Sequence, residues 1–348
     1  MKKNRLILCL FASVVLGGLI TANVLDTFVW PHIEGTVAEK EDFDFDLVSS
    51  STSSSNGSSS PSSSTSSSNG SSSPSSSASS ESSSSSEEIS ETTQTTSSST
   101  SGQAKTTVSL VSSTRLIDGL EVPYHLVDIH LARISDLRTS LATDSEGHYG
   151  SNIVSSLEEM VAEKETDGPS VLAAINGDFP FWKGRSGYVV RNGVTYRESV
   201  RSSGEGFALD KQGNAYSYKE SETSLSELGD TYQAWCFGPT LIEEGEISVD
   251  ENEEIDGMSK SNNQRTAIGY VDPLHFYFLA TEVNGRRSSS NASSFALYDL
   301  ATMLSELGCQ YAYNLDGGGS SALYYGGSTL IDSRDLGDMV YVVEHQVL

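Results

Sequence analysis

Cysteine is scarce in this 348-residue chain: Cys9, Cys236 and Cys309 are all it has. No CxxC pair occurs, and His125, His130, His148, His275 and His345 are scattered along the sequence, which argues against a zinc site. Cys236 and Cys309 could pair in an oxidising exterior, but two buried free thiols are the favoured reading. Positive charge is short as well. Lys and Arg number 21 against 47 Asp and Glu, a net charge of −26, and from Ala104 onward 17 basic residues face 36 acidic ones. Such a field repels a phosphate backbone, so nucleic acid is excluded as a partner, and it repels polyanionic surfaces too. An anionic substrate would need a local pocket of arginines and backbone donors set against that field. Large apolar residues are missing from Ser49 to Ser101, Ile89 excepted, where SSSNGSSSPSSS occurs twice. That stretch cannot offset its ordering entropy and reads as a flexible tether with an r.m.s. span of roughly 40 Å.

What is present divides the chain in three. Lys2, Lys3 and Arg5 precede an uncharged run from Leu6 to Leu25, about the 20 residues that cross a bilayer as a helix. The positive charges stay inside, which puts the rest of the chain on the extracytoplasmic side. A cleaved signal peptide is the rival reading, but the small-residue cleavage pattern is poor and the apolar run is long. The expected organisation is therefore a cytoplasmic tail and single-pass cell-membrane anchor over 1–30, an acidic and then Ser-rich disordered linker over 31–103, and one globular domain over 104–348.

Within that domain, apolar spacing predicts helices over Asn152 to Lys164 and Ser294 to Leu307, the second stopped by Gly308. The remainder reads as short strands between turns: Val122 to Ile134, Val171 to Ile175, Gly187 to Tyr196 around Asn192-Gly193, and Gly206 to Tyr218 around Gln212-Gly213-Asn214. Further strands are expected at Trp235 to Ile242, Arg265 to Val271, His275 to Val283, Gln310 to Leu315, Ser321 to Tyr325 and Met339 to Val347. The fold class is α+β, with mixed β-sheets and few helices.

The most informative run is Tyr313-Asn314-Leu315-Asp316-Gly317-Gly318-Gly319-Ser320-Ser321. A carboxylate and three successive glycines follow an apolar strand, so the backbone can take positive φ and form an anion-binding nest. Three other strand ends carry polar residues: Asn176-Gly177-Asp178 after VLAAI, Gly238-Pro239-Thr240 within WCFGPTLI, and Asn263-Gln264-Arg265-Thr266 before AIGY.

From Val171 to Val343 the order INGDF, FGPTLIEEG, RTAIGY, NGR, amphipathic helix, YNLDGGGSSAL and RDLGDMVYVV resembles the phosphodiester glycosidase family. That group includes the enzyme that removes N-acetylglucosamine from mannose 6-phosphate diesters. One position departs: the family pattern reads Asp-Gly-Arg where this chain has Asn284-Gly285-Arg286. The resemblance implies hydrolysis of the anomeric C1–O bond of a sugar-1-phosphodiester. Its leaving group, a phosphate monoester, departs without strong protonation, so a general acid matters less than in ordinary glycoside hydrolysis. What remains essential is a carboxylate for water or for the oxocarbenium-like carbon, and donors for the phosphate.

On that reading Asp316 is the first carboxylate, Asp178 the second and Glu282 a reserve. The phosphate would rest on Gly317, Gly318 and Gly319, helped by Ser320, Ser321, Thr266 and the guanidinium groups of Arg265 and Arg286. Asn176 and Asn314 suit sugar hydroxyls or an N-acetyl group. Phe179, Phe181 and Trp182 could stack on a sugar, although aromatic clusters are more often core. The sequence requires no cofactor; the acidic run Glu243, Glu244, Glu246 and Asp250 to Glu254 reads first as a solvated loop, although its carboxylates with Asp316 could hold Ca²⁺. The expected partner is a phosphodiester-linked glycan of a cell wall or exopolysaccharide. Two rivals remain open: a phosphodiesterase acting at phosphorus, and a non-catalytic glycan-binding or wall-organising module.

Overall fold

The computed structural model describes residues 32–37, 104–166, 168–182, 184–200, 204–251, 263–285 and 293–344. The tail and anchor of 1–30, most of the linker to 103, and Arg286 lie outside the described residues. Among the described residues no helix is long and apolar enough to cross a membrane.

A short strand β1 (His32–Thr36) precedes the long hairpin of β2 (Thr107–Ile117) and β3 (Leu120–His130). Then come β4 (Leu137–Leu141), β5 (His148–Ser151), helix α1 (Leu157–Thr166) and β6 (Val171–Asn176). Next are β7 (Val189–Arg191), β8 (Val194–Arg197), β9 (Glu205–Asp210), β10 (Ala215–Lys219), β11 (Thr231–Trp235), β12 (Thr240–Glu243) and β13 (Glu246–Ile247). The chain ends with β14 (Thr266–Asp272), β15 (His275–Thr281), helix α2 (Leu297–Glu306), β16 (Tyr311–Asn314), β17 (Leu323–Tyr325), β18 (Ser328–Ile331) and β19 (Asp338–Val343).

Three larger sheets form: β13-β12-β16-β14-β15-β3-β2, β18-β17-β6-β19-β4 and β10-β9-β11-β7-β8. The α+β expectation holds, with two α-helices among the described residues. The expected mixture within sheets gives way to antiparallel pairing in every described ladder.

Strand alternation explains how the first two sheets pack. In β15, Phe276, Phe278 and Ala280 enter a core shared with Val340 and Val342 of β19 and with Phe207 and Trp235 of the third sheet. Tyr277 and Leu279, pointing the other way, meet Leu297, Leu300, Ala301 and Leu304 of α2. On β19 the same period sends Met339 and Tyr341 toward Leu157, Met160 and Val161 of α1. Two sheets thus face each other and each carries a helix on its outer face. Gly269 of β14 lets α2 approach closely, since a Cβ there would stand 2.8 Å from the Cys309 sulfur and 3.0 Å from Leu304.

Three departures from expectation bear on how the chain is organised. Residues 32–37 belong to the stretch expected to be disordered, yet β1 pairs with β5 from His32↔Ser151 to Thr36↔His148. The strand expected over Trp235 to Ile242 is two strands in different sheets, β11 and β12, because Gly238 at φ 78° turns the chain between them. Helix α1 begins at Leu157 instead of Asn152. Ser156 Oγ accepts the Glu159 N–H at 3.2 Å while the Ser156 N–H donates to Glu159 Oε2 at 3.1 Å, a reciprocal cap that fixes the start.

Candidate active site

Antiparallel register brings the polar strand ends to one edge of the two facing sheets. Asn314 of β16 lies opposite Ala267 of β14, and Asn176 of β6 lies opposite Met339 of β19. The loop after β16 then borders a cavity of about 220 Å³ lined by Asp316, Gly317, Gly318, Gly319, Arg265, Arg334, Asn263 and Phe237. Asp316 is the one carboxylate among these lining residues, and it shares them with two guanidinium groups.

Asp316 is held from both sides. Its Oδ1 accepts the Gly317 N–H at 3.0 Å, and Arg334 Nη2 lies 3.4 Å from Oδ2. Arg334 is anchored in turn, with Nε donating to Ser320 Oγ at 2.8 Å and its backbone N–H to the Gly319 carbonyl at 2.8 Å. Arg265 donates Nε to the Phe295 carbonyl at 3.2 Å, and burial pulls its guanidinium below the ordinary arginine value. The Arg185 guanidinium stands 4.3 Å over the Phe237 ring at the margin.

The glycine loop is less of a nest than its sequence implies. Gly318, at φ 61°, donates its N–H to the Gln264 carbonyl at 2.8 Å, and the Gly317 N–H is taken by Asp316 itself. Among the described residues only the Gly319 N–H of the three has no protein acceptor. Gly317 is required by close approach, because a Cβ would stand 2.9 Å from the Gln264 carbonyl oxygen.

Several expected site residues do not line the open cavity. Asn176 is buried and uses its whole hydrogen-bonding capacity. Its Oδ1 accepts from Thr266 Oγ1 at 2.8 Å and the Ala322 N–H at 3.1 Å, and its Nδ2 donates to the Asp316 carbonyl at 2.6 Å and the Gly177 carbonyl at 3.0 Å. Asn176 and Thr266 therefore clamp the two sheets beneath Asp316, with no capacity left for a sugar. Asn314 is likewise buried and donates to the Gly238 carbonyl at 2.8 Å. Ser321 is fully buried and lines neither the cavity nor the cleft beside it. Glu282 pairs with His125 Nε2 at 3.1 Å and is not a lining residue.

Asp178 is the clearest relocation. It is fully buried, its Oδ1 accepts from Arg191 Nη2, and its Oδ2 accepts the Cys236 N–H at 2.7 Å. Arg191 also donates to Asp338 Oδ2 at 3.0 Å, so one guanidinium serves two carboxylates away from solvent. Asp338 Oδ1 accepts the N–H of Phe179, which sits at φ 46°. Burial, reinforced by the charge of Asp178 and opposed by Arg191, pushes the Asp338 carboxyl up to about 7. Gly177 is glycine because a Cβ there would overlap that carboxylate. A narrow cleft lined by Asn176, Gly177, Phe179, Asp316, Ser320, Leu336, Gly337 and Asp338 lies between this buried group and Asp316.

Sequence reading missed Arg334, Asn263 and Phe237, although each stands in a motif it had singled out. Arg334 carried a usable signal: it is the one Lys or Arg in residues 301–348 of a strongly acidic chain. The departure at Asn284 has a local cause, since its Nδ2 donates to the Glu121 carbonyl at 2.6 Å, a bond an ionised aspartate cannot make. Phe179 and Phe181 are core, while Trp182 is 43% exposed and packs edge-on against Phe179. Cys236 and Cys309 are buried free thiols, and burial raises both.

The pattern that defines the phosphodiester glycosidase (NAGPA) family matches residues 169–343, half of the chain. The chain belongs to that family. Among solved structures, the catalytic domain of zebrafish N-acetylglucosamine-1-phosphodiester alpha-N-acetylglucosaminidase (NAGPA), auto-inhibited by its pro-peptide, shares 20% identity. The match covers 70% of this chain and 85% of that one, with a TM-score of 0.56, and shows a common phosphodiester glycosidase fold. A Synechocystis protein is 14% identical over 68% of this chain and 62% of its own, TM-score 0.44. A protein of Burkholderia pseudomallei K96243 is 13% identical over 65% of this chain and 75% of its own, TM-score 0.41. No curated protein matches the chain.

Proposed function

We propose that this phosphodiester glycosidase family member is an extracytoplasmic hydrolase that cleaves the C1–O bond of a sugar-1-phosphodiester in a surface glycoconjugate or exopolysaccharide. The observation that carries this reading is a cavity with one carboxylate, Asp316, facing two guanidinium groups, Arg265 and Arg334. Ordinary glycosidases need a second carboxyl to protonate the leaving oxygen. A phosphate monoester leaves without one and instead needs cationic donors for its developing charge. One carboxylate with two arginines suits that substrate better than it suits a neutral glycoside.

In this mechanism Asp316 activates water for attack at C1 or shields the oxocarbenium-like carbon. Arg334, Arg265 and the Gly319 N–H hold the phosphate, with Arg334 bridging phosphate and Asp316. Asp178 acts through Asp338 and Arg191 as a positioning residue under the loop. The anchor over 1–30 and the tether to 103 would let the domain reach a wall or capsule polymer, and a sugar-1-phosphodiester polymer is the substrate class that location offers.

Product analysis tests the proposal. The full chain is incubated with UDP-N-acetylglucosamine and simpler sugar-1-phosphodiesters, beside an Asp316→Asn variant. Free sugar with an intact phosphate monoester, lost in the variant, supports C1–O cleavage. Sugar-1-phosphate would move the chemistry to phosphorus, and binding without product would leave a glycan-binding module.

A further inference from the structure

The outer face of the seven-stranded sheet is only partly covered by α2. Along β15 the residues of that face are His275, Tyr277 and Leu279, of which Leu279 and Tyr277 pack with α2. His275 lies past that cluster at the start of the strand, directly opposite His130 of β3. Asp128 stands two residues before His130 and so on the same face. Three metal-ligating side chains, 145 residues apart in sequence between the histidines, are thereby gathered at one strand end.

Their geometry converges on one point. His275 Nε2 lies 2.9 Å from Asp128 Oδ1, and His130 Nε2 lies 3.3 Å from the same oxygen. The imidazole rings stack with centroids 4.1 Å apart and planes 26° from parallel, with both Nε2 atoms beside Asp128 Oδ1. All three ligand atoms fall within 4.8 Å of one another. Around a tetrahedral zinc ion, with bonds of about 2.0–2.1 Å, neighbouring ligand atoms are separated by roughly 3.3 Å. Two of the three separations are already near that value. One carboxylate oxygen can accept from both imidazoles as a hydrogen-bonded ion-pair network, and the same three ligand atoms also match one face of a coordination tetrahedron.

We propose that Asp128, His130 and His275 form a surface site for a divalent transition-metal ion, zinc in the first instance, with a fourth position open to water. Two imidazoles and one carboxylate select borderline ions of the zinc, nickel and copper group over calcium and magnesium. The bound ion clamps β3 to β15 where Thr107, opposite His130, brings β2 into the sheet. Its role is to stabilise that end of the domain, and it lies at the opposite end of β15 from Thr281, which hydrogen-bonds to cavity-lining Arg265.

The test is zinc titration of the full chain by calorimetry, with the melting temperature followed in parallel. Wild type is expected to take up one zinc equivalent and to melt higher when loaded. His275→Gln and His130→Gln should weaken that uptake roughly 10–100-fold or more. His148→Gln should leave it unchanged, although His148 also sits beside two carboxylates, Asp144 and Glu146. Circular dichroism checks that each variant is folded, and the visible spectrum of Co²⁺ bound to wild type reads the coordination without any variant. No saturable equivalent in wild type, no tetrahedral cobalt spectrum, or equal uptake by His275→Gln would overturn the site.

Discussion

Asp316 and Arg334 contact each other in one cavity, and each keeps a further anchor when the other is changed: the Gly317 N–H for Asp316, Ser320 Oγ and the Gly319 carbonyl for Arg334. Asp316→Asn retains the shape and the Gly317 contact but removes the charge, so kcat should fall about 10²–10⁴-fold with substrate binding retained. Arg334→Ala removes a charge-assisted contact worth about 1.5–3 kcal/mol, and the loss should appear mainly as a 10–100-fold higher KM. Arg334→Lys should recover part of it, because an ammonium lacks the fork that spans Asp316 and phosphate. Asn176 belongs to a different class of residue. Asn176→Ala strips partners from Thr266 Oγ1, the Ala322 N–H and the Asp316 carbonyl in a buried setting. A destabilisation of about 3–5 kcal/mol is expected, read as a lower urea midpoint at unchanged m-value.

At the scale of elements, β6, β7 and β19 meet at Asp178, Arg191 and Asp338, and their junction should titrate. Because the folded-state pKa of Asp338, about 7, lies above the ordinary 3.8, the folded protein holds that proton more tightly than the unfolded chain does. Its contribution to stability is therefore full below about pH 4 and is lost as pH rises toward 7. Stability should decline across about pH 5 to 7 by up to ~1.4 kcal/mol per unit, and Asp338→Asn should flatten that decline in urea unfolding curves. None of this was legible in the sequence, since the partner that converts Asp178 from site to support is a residue on another strand. What was legible followed local rules. Asn192 and Gly193, at φ 51° and 80°, make the β7–β8 turn where the dipeptide announces it, and Gly308 at φ 83° follows α2. Strand β2 escaped notice because its Ser- and Thr-rich sequence, TVSLVSSTRLI, leaves most side chains exposed, so no apolar stripe marks it. The position of Asp316 was legible for the opposite reason: three glycines after an apolar strand have few structural uses other than close approach. The metal-ligand triad was hidden by distance, as only the register of β3 with β15 brings His130 opposite His275.

For the whole molecule, the decisive quantity is charge. On the proposed function, a chain of net −26 would grip an anionic phosphodiester against its own field, through Arg265, Arg334 and one backbone N–H. The two contributions differ in range. At about 10 mM salt the Debye length is ~30 Å, so the acidic surface repels an approaching anion before the arginines are felt. Near 150 mM it falls to ~8 Å, the distant carboxylates are screened, and a substrate already in the cavity still meets two guanidinium groups at contact distance. The rate constant kcat/KM for a sugar-1-phosphodiester should therefore rise several-fold between about 10 and 150 mM salt, the reverse of an electrostatically steered enzyme, and fall at higher salt as the arginine contacts weaken. Arg334→Ala should keep the low-salt rise, which comes from the surface, while moving the whole curve down. A monotonic fall from the lowest salt would mean that the local pocket outweighs the global field even at long range, and would shift the explanation of anion capture from contact to steering.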